Sequence, residues 1–179
     1  MAMKIAVRTT SAAATRRLGE LLARTLRAPA VLLLEGPLGS GKTTFVQGLV
    51  GALPFGAELR VQSPTFALAR TYPTEPHVHH LDLYRLDEEL AARDLGLLDQ
   101  IAEEDAISCV EWPARAPSLL EHPDRLEVVF PKNASRTRTI SFSGPLLLRD
   151  MALYDTLLEA QRQAAGRRGP PAAETKTNG

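Results

Sequence analysis

Residues 33–44 read LLEGPLGSGKTT, and within them Gly36, Gly41, Lys42 and Thr43 satisfy the spacing G-x-x-x-x-G-K-[ST]. The continuously apolar run 30–34 precedes this stretch and a helix-like stretch follows it, the strand–loop–helix order that a phosphate-binding loop requires. Gly36, Gly39 and Gly41 let successive backbone N–H groups curl around an anion where a Cβ would intrude. The loop opens a helix near Gly41, whose unpaired N–H groups and positive dipole end face the same anion. Lys42 supplies a point charge for the β- and γ-phosphates, and the Thr43 hydroxyl is placed to ligate Mg²⁺. Gly36, Pro37, Leu38, Gly39, Ser40, Gly41, Lys42, Thr43 and Thr44 are therefore the nucleotide-binding candidates.

Upstream, residues 3–8 alternate apolar and polar as a short strand does. Thr10 or Ser11 then caps a helix carrying Ala14, Leu18, Leu21, Leu22 and Leu26 on a core-facing stripe. The run 30–34 has the uniform apolarity of a parallel strand covered on both faces. Downstream, 42–53 places Phe45, Val46, Leu49 and Val50 on one helix face, and Gly51 and Pro54 end it. A loop at Ser63-Pro64 feeds an expected strand over 66–70, a turn spans 73–76, and a second extended segment covers 77–83.

His77 and His79 would share one face of that segment, but no third ligand is spaced with them. Surface and packing roles suit them better than a metal. Residues 87–105 are strongly acidic with interleaved leucines, predicting a helix, a bend at Gly96 and a second helix. An apolar strand follows over 106–110. Segments 125–130 and 137–142 form an expected hairpin around 132–136, and 146–163 an expected closing helix. The pattern predicts an α/β domain over 1–163, with a mainly parallel sheet, flanking helices and an antiparallel edge hairpin. The Gly-, Pro- and Ala-rich tail 164–179 is expected to be disordered.

The 179 residues contain 21 basic and 21 acidic side chains, so global charge does not suggest a nucleic-acid-coating or membrane-surface protein. A 44% hydrophobic and 23% charged composition is that of a globular domain. The single cysteine, Cys109, excludes an internal disulfide or a cysteine-based zinc site and falls in an apolar run, as a core thiol does. No leader-like start and no membrane-length apolar run is present, so a cytoplasmic location and no membrane partner are expected.

A phosphate-binding loop needs a carboxylate on the far side of Mg²⁺ and a group that orients the nucleophile. Asp82 and Glu111 end two extended segments, where an α/β sheet presents its ligand edge. Glu111 fits the metal or its water; Asp82 shares that role or lies toward the γ-phosphate, and both stay candidates. Ser63 and Thr65 lie where a γ-phosphate sensor would, although turn chemistry also accounts for Ser63-Pro64.

Four motifs in order, LEGPLGSGKTTF (34–45), SPTF (63–66), HLDLYRL (80–86) and VEWP (110–113), closely resemble the bacterial TsaE family, also called YjeE. The resemblance covers about 11–142. It implies a P-loop NTPase-like fold and a small Mg²⁺-dependent ATPase required for threonylcarbamoyladenosine formation on tRNA, next to the anticodon. It further implies action with the TsaD and TsaB proteins, tRNA being met only through their complex. Carried over by motif, Thr43, Glu111 and Asp82 are the metal candidates, and Lys42, Asp82 and Glu111 the catalytic ones. Ser63 and Thr65 belong to a switch-like segment, and Trp112 lies beside the nucleotide or the partner. Residues 11–15 resemble the part near the adenine, as does the turn at Ser135 and Arg136. Ser40 stands where the family usually has Ala, and alanines at 12–14 replace common polar residues, which counts against side-chain contacts to the base there.

The alternative enzyme reading is a P-loop kinase of a small molecule, which usually carries an arginine-bearing lid. Arg85 and Arg93 lie near or in the acidic stretch, a poor lid for phosphates. A GTPase would need N-K-x-D, and none of the four lysines, Lys4, Lys42, Lys132 and Lys176, has that context. A nucleotide-sensing module with incidental turnover is the remaining class. No arginine finger or glutamine is positioned by sequence, so hydrolysis by the isolated protein is expected to be slow.

Overall fold

The computed structural model of the chain describes residues 3–87, 89–131 and 137–166. Strand β1 (Lys4–Thr9) leads into helix α1 (Ala12–Ala23), which is capped by Ser11: its Oγ accepts from the Ala14 N–H at 3.0 Å. Strand β2 (Ala30–Glu35), the phosphate-binding loop and helix α2 (Lys42–Ala52) follow. Next come β3 (Ala69–Tyr72), β4 (His77–Asp82), α3 (Glu89–Asp94), α4 (Leu97–Ile101) and β5 (Ala106–Glu111). Two short 3₁₀ turns, Pro113–Arg115 and Pro117–Glu121, lead to β6 (Arg125–Val129), β7 (Arg138–Ser143), α5 (Pro145–Arg149) and α6 (Met151–Gly166).

The strands form one seven-stranded sheet in the order β1-β7-β6-β2-β5-β4-β3. Its centre is parallel: β2 pairs with β5 and β6, and β5 pairs with β4. Its flanks are antiparallel, β3 on β4 at one side and β6–β7–β1 at the other. The expected hairpin is present as β6–β7, but it lies one strand in from the edge, because β1 returns along β7 from Lys4↔Ser143 to Thr9↔Arg138.

The uniform apolarity of β2 is explained by layers on both faces. Leu32 and Leu34 pack into one core with Leu18, Leu22, Phe45 and Leu49 of α1 and α2. Val31 and Leu33 pack into a second core with Leu81, Ala92, Leu97 and Ile101. Helices α1 and α2 touch backbone to backbone: a Cβ on Gly48 would stand 1.9 Å from the Arg16 carbonyl oxygen, and one on Gly19 2.1 Å from that of Phe45.

Two expectations are corrected. The strand predicted over 66–70 begins instead at Ala69, because the Leu68 N–H bonds the Pro64 carbonyl at 2.6 Å and Leu68 takes φ 63°, turning the chain and leaving Phe66 exposed. The closing helix is two helices, since Asp150 leaves helical geometry and caps α6 through its Oδ1, which accepts from Leu153 N–H at 2.9 Å. Met151, at the start of α6, is exposed. The bend at Gly96 is observed, with φ 69° between α3 and α4. Helix α6 runs to Gly166, three residues past the expected domain boundary, and the rest of the tail lies outside the described residues. Among the described residues, no helix is long and apolar enough to cross a membrane.

Candidate functional site

The central parallel strands all end at the edge where the loop begins. Their register sets Leu34 beside Glu111 and Glu111 beside Asp82, so three strand ends line up under one loop. The loop turns through Gly36, at φ 151°, and Gly41, which precedes α2 at φ 107°. A Cβ on Gly36 would come within 2.8 Å of Phe130 Cβ, so this glycine is required by space as well as by dihedral.

Lys42 is nearly fully buried, and its ammonium donates to the carbonyls of Gly36 at 2.7 Å and Pro37 at 3.1 Å. It stands 4.0 Å from Glu111 Oε2 and 4.3 Å from the centre of the Trp112 ring. Burial lowers the Lys42 pKa, while the negative charges of Glu111, Asp82 and Glu35 oppose that shift. The Thr43 hydroxyl donates to Glu111 Oε1 at 2.9 Å.

Asp82 is held on both oxygens. Its Oδ2 accepts from Ser63 Oγ at 2.5 Å and Thr65 Oγ1 at 2.7 Å, while Oδ1 accepts from the Tyr84 N–H at 3.1 Å. The strand-end acid and the expected switch segment are thus one connected unit. Trp112 adopts a left-handed backbone conformation, φ 62°, directly after β5, which brings its ring over Lys42 and within 4.9 Å of the Tyr84 ring. A cleft of about 400 Å³ is lined by Leu38, Gly39, Ser40, Gly41, Lys42, Thr43 and Thr44 with Ser63, Thr65, Asp82, Tyr84, Glu111 and Trp112. Gly36 and Pro37 stand behind it, holding Lys42. Arg136 and Ser135 lie outside the described residues.

The donor set is a hydroxyl and carboxylates, the hard oxygens that Mg²⁺ prefers, and Mg²⁺ bound beside phosphates needs only one or two protein carboxylates. Thr43 and Glu111, already in contact, fit that ion. Among the described residues no group of three or more His, Cys, Asp or Glu is arranged to enclose a metal by itself. The histidine pair is engaged otherwise: His77 Nδ1 meets the Thr74 carbonyl at 2.7 Å, and His79 lies between Thr71 Oγ1 and Glu103 Oε2, both at 2.9 Å.

Sequence reasoning missed two participants. His80 is fully buried with Nε2 3.0 Å from Glu111 Oε1, and Tyr84 backs Trp112. The signal for His80 was its place two residues before Asp82, hence on the same side of the strand. Arg85 lies over the Phe66 ring at 5.0 Å and Arg93 pairs with Glu89 at 3.9 Å; neither lines the cleft.

Comparison with known proteins accounts for this architecture. The family model described as "Threonylcarbamoyl adenosine biosynthesis protein TsaE" matches residues 9–140. A Bacillus subtilis protein named tRNA threonylcarbamoyladenosine biosynthesis protein TsaE is 31% identical over 156 residues, covering 84% of this chain and 95% of its own. A Nostoc protein of the same name is 44% identical over 107 residues, 58% of this chain and 64% of its own. The crystal structure of Bacillus subtilis YdiB superimposes with a TM-score of 0.69 at 26% identity, covering 89% of this chain and 97% of that one. The fold is P-loop NTPase-like, and since the match runs through every strand of the cleft, the chain belongs to the TsaE family.

Proposed function

We propose that the protein binds ATP with Mg²⁺ in the cleft over α2 and hydrolyses it, in the service of tRNA threonylcarbamoyladenosine biosynthesis, together with TsaD and TsaB. The observation that carries this reading is the convergence of Lys42, Thr43 and Glu111 at the mouth of the loop, each within 4.0 Å of the next in the chain of contacts. Phosphate oxygens would replace the Gly36 and Pro37 carbonyls as partners of the Lys42 ammonium, which then balances charge building on the γ-phosphate. Thr43 and Glu111 would hold Mg²⁺, which would supply neutralisation of the phosphate charge. Water attacks in line, the bond from phosphorus to the bridging oxygen breaks, and ADP and phosphate leave.

Glu111 or Asp82 orients the water. Asp82, engaged on both oxygens by Ser63, Thr65 and Tyr84, reaches it only when the Ser63–Thr65 contact is rearranged. Such a rearrangement suits control by a partner protein, and it makes hydrolysis by the isolated chain slow. A cytoplasmic location accords with this role.

The test is ATP hydrolysis by the purified protein, alone and with TsaD and TsaB, for wild type, Lys42→Ala and Glu111→Ala. Stimulation by the partners that both substitutions abolish supports the proposal. Absence of stimulation, or transfer of phosphate to a small acceptor rather than water, overturns it in favour of a kinase.

A further inference from the structure

His80 sits on β4, the strand next to the β3 edge, with no exposed surface, and it does not line the cleft. Its Nε2 lies 3.0 Å from Glu111 Oε1, the same oxygen that accepts from Thr43 Oγ1 at 2.9 Å. A carboxylate offers only lone pairs, so Nε2 carries the hydrogen. The other ring nitrogen, Nδ1, is buried with no hydrogen-bond partner among the described residues. The ring therefore makes one polar contact inside the core, and that contact is with Glu111. A leucine or phenylalanine would fill the same place without leaving an unpaired nitrogen, so packing alone does not account for histidine here.

We infer that His80 is the positioning residue for Glu111, fixing Oε1 from inside the sheet so that Oε2 faces the cleft. This rests on the assignment of Glu111 to the Mg²⁺ side of the site. The two donors reach Oε1 from different elements, Thr43 from the first turn of α2 and His80 from β4. Two bonds to one oxygen hold the carboxylate against rotation about its last torsion, which is otherwise broad. Oε2, 4.0 Å from Lys42 Nζ, is left to the ion or its water. Partners that orient a metal-binding group without touching the metal typically contribute 10- to 100-fold in affinity or activity.

The experiment compares His80→Leu and His80→Gln in the full chain. Leucine removes the donor and keeps the bulk; the glutamine amide N–H can stand where Nε2–H stands. For His80→Leu the Mg²⁺ concentration at half-maximal ATP hydrolysis should rise about tenfold or more, while Mg²⁺-free ATP binding, which depends on the loop and Lys42, stays within about threefold. His80→Gln should recover most of the Mg²⁺ response. An unchanged Mg²⁺ response in His80→Leu overturns the inference, as does a His80→Gln that is no better than leucine at equal melting temperature.

Independent of turnover, long-range ¹H–¹⁵N NMR of the wild type, with His80 assigned by its absence in His80→Gln, should find the hydrogen on Nε2 and Nδ1 bare. Glu111→Gln should shift that Nε2–H resonance. Hydrogen on Nδ1, or a resonance indifferent to Glu111→Gln, refutes the contact even if His80→Leu does not fold. A wild type that neither binds nor hydrolyses ATP would instead count against the ATPase reading, leaving the NMR result to judge His80.

Discussion

Gly48→Ala adds a single methyl group to the inner face of α2, and the structure leaves no room for it. The new Cβ would stand 1.9 Å from the Arg16 carbonyl oxygen and 2.7 Å from its carbon, where ordinary contact begins at 3.4 Å. Relief requires α1 and α2 to part by about 1.5 Å at that point, the difference between 3.4 and 1.9 Å. Both clashing groups are helical backbone, so no side chain can swing aside. Parting the helices also loosens Leu18, Leu22, Phe45 and Leu49, all buried between them and the sheet. Overpacking costs about 1–3 kcal/mol when side chains can adjust; with backbone on both sides the upper end applies, about 3 kcal/mol.

For a domain of this size that lowers the melting midpoint by about 6–12 °C. ATP binding should weaken as well, because the first turn of the displaced helix carries Lys42 and Thr43. The control lies on the same helix. Gly51 is exposed with nothing within 4 Å of its would-be Cβ, so Gly51→Ala should stabilise by about 0.5 kcal/mol through helix propensity. Thermal melts by circular dichroism, with nucleotide titration of each variant, read both. A Gly48→Ala protein melting within about 2 °C of wild type would refute the close helix contact.

Three further outcomes follow from individual side chains. Ser40 Oγ is buried in the loop with no partner among the described residues, so Ser40→Ala should raise stability by about 1 kcal/mol and leave ATP affinity within about twofold, as read by thermal melts and nucleotide titration. A loss of either would mean that the hydroxyl is engaged. Burial, reinforced by the Glu111 charge, pushes the Cys109 thiol far above its ordinary range. A thiol reagent should therefore label nothing in the native protein and one group per chain in denaturant, and rapid native labelling would contradict the core placement. Burial holds the His122 imidazole below its ordinary 6.5, with Arg125 adding to this and Asp124 opposing it. The unfolded chain then binds the proton first, so this part of the stability is present above about pH 6.5 and lost as pH falls through the lower folded value. Denaturant midpoints across that range should fall less steeply for His122→Gln than for wild type.

Much of this site was legible in the chain because its chemistry depends on local order. The spacing of Gly36, Gly41, Lys42 and Thr43 specifies a loop between a strand and a helix, and an apolar run such as 30–34 specifies a strand covered on both faces. Glu111 could be placed at a strand end because the apolar run 106–110 stops there, and Asp82 near the end of the extended segment 77–83. The Ser11 cap and the Gly96 bend are likewise encoded within a few residues.

Other features are set by contacts between segments distant in sequence. Strand order placed β1 outside the hairpin, and a turn closed by Leu68 on Pro64 displaced the strand expected at 66–70. The same holds within the site. Periodicity assigned His77 and His79 to one face of a strand, but only the pairing of β4 with β5 made the next residue, His80, a neighbour of Glu111, and only the fold tied Asp82 to Ser63 and Thr65. Residues within one turn or strand constrain each other through covalent geometry, which the sequence alone determines. Which oxygen of Glu111 is held, and by what, is decided by the register between strands, and that register exists only once the sheet has formed.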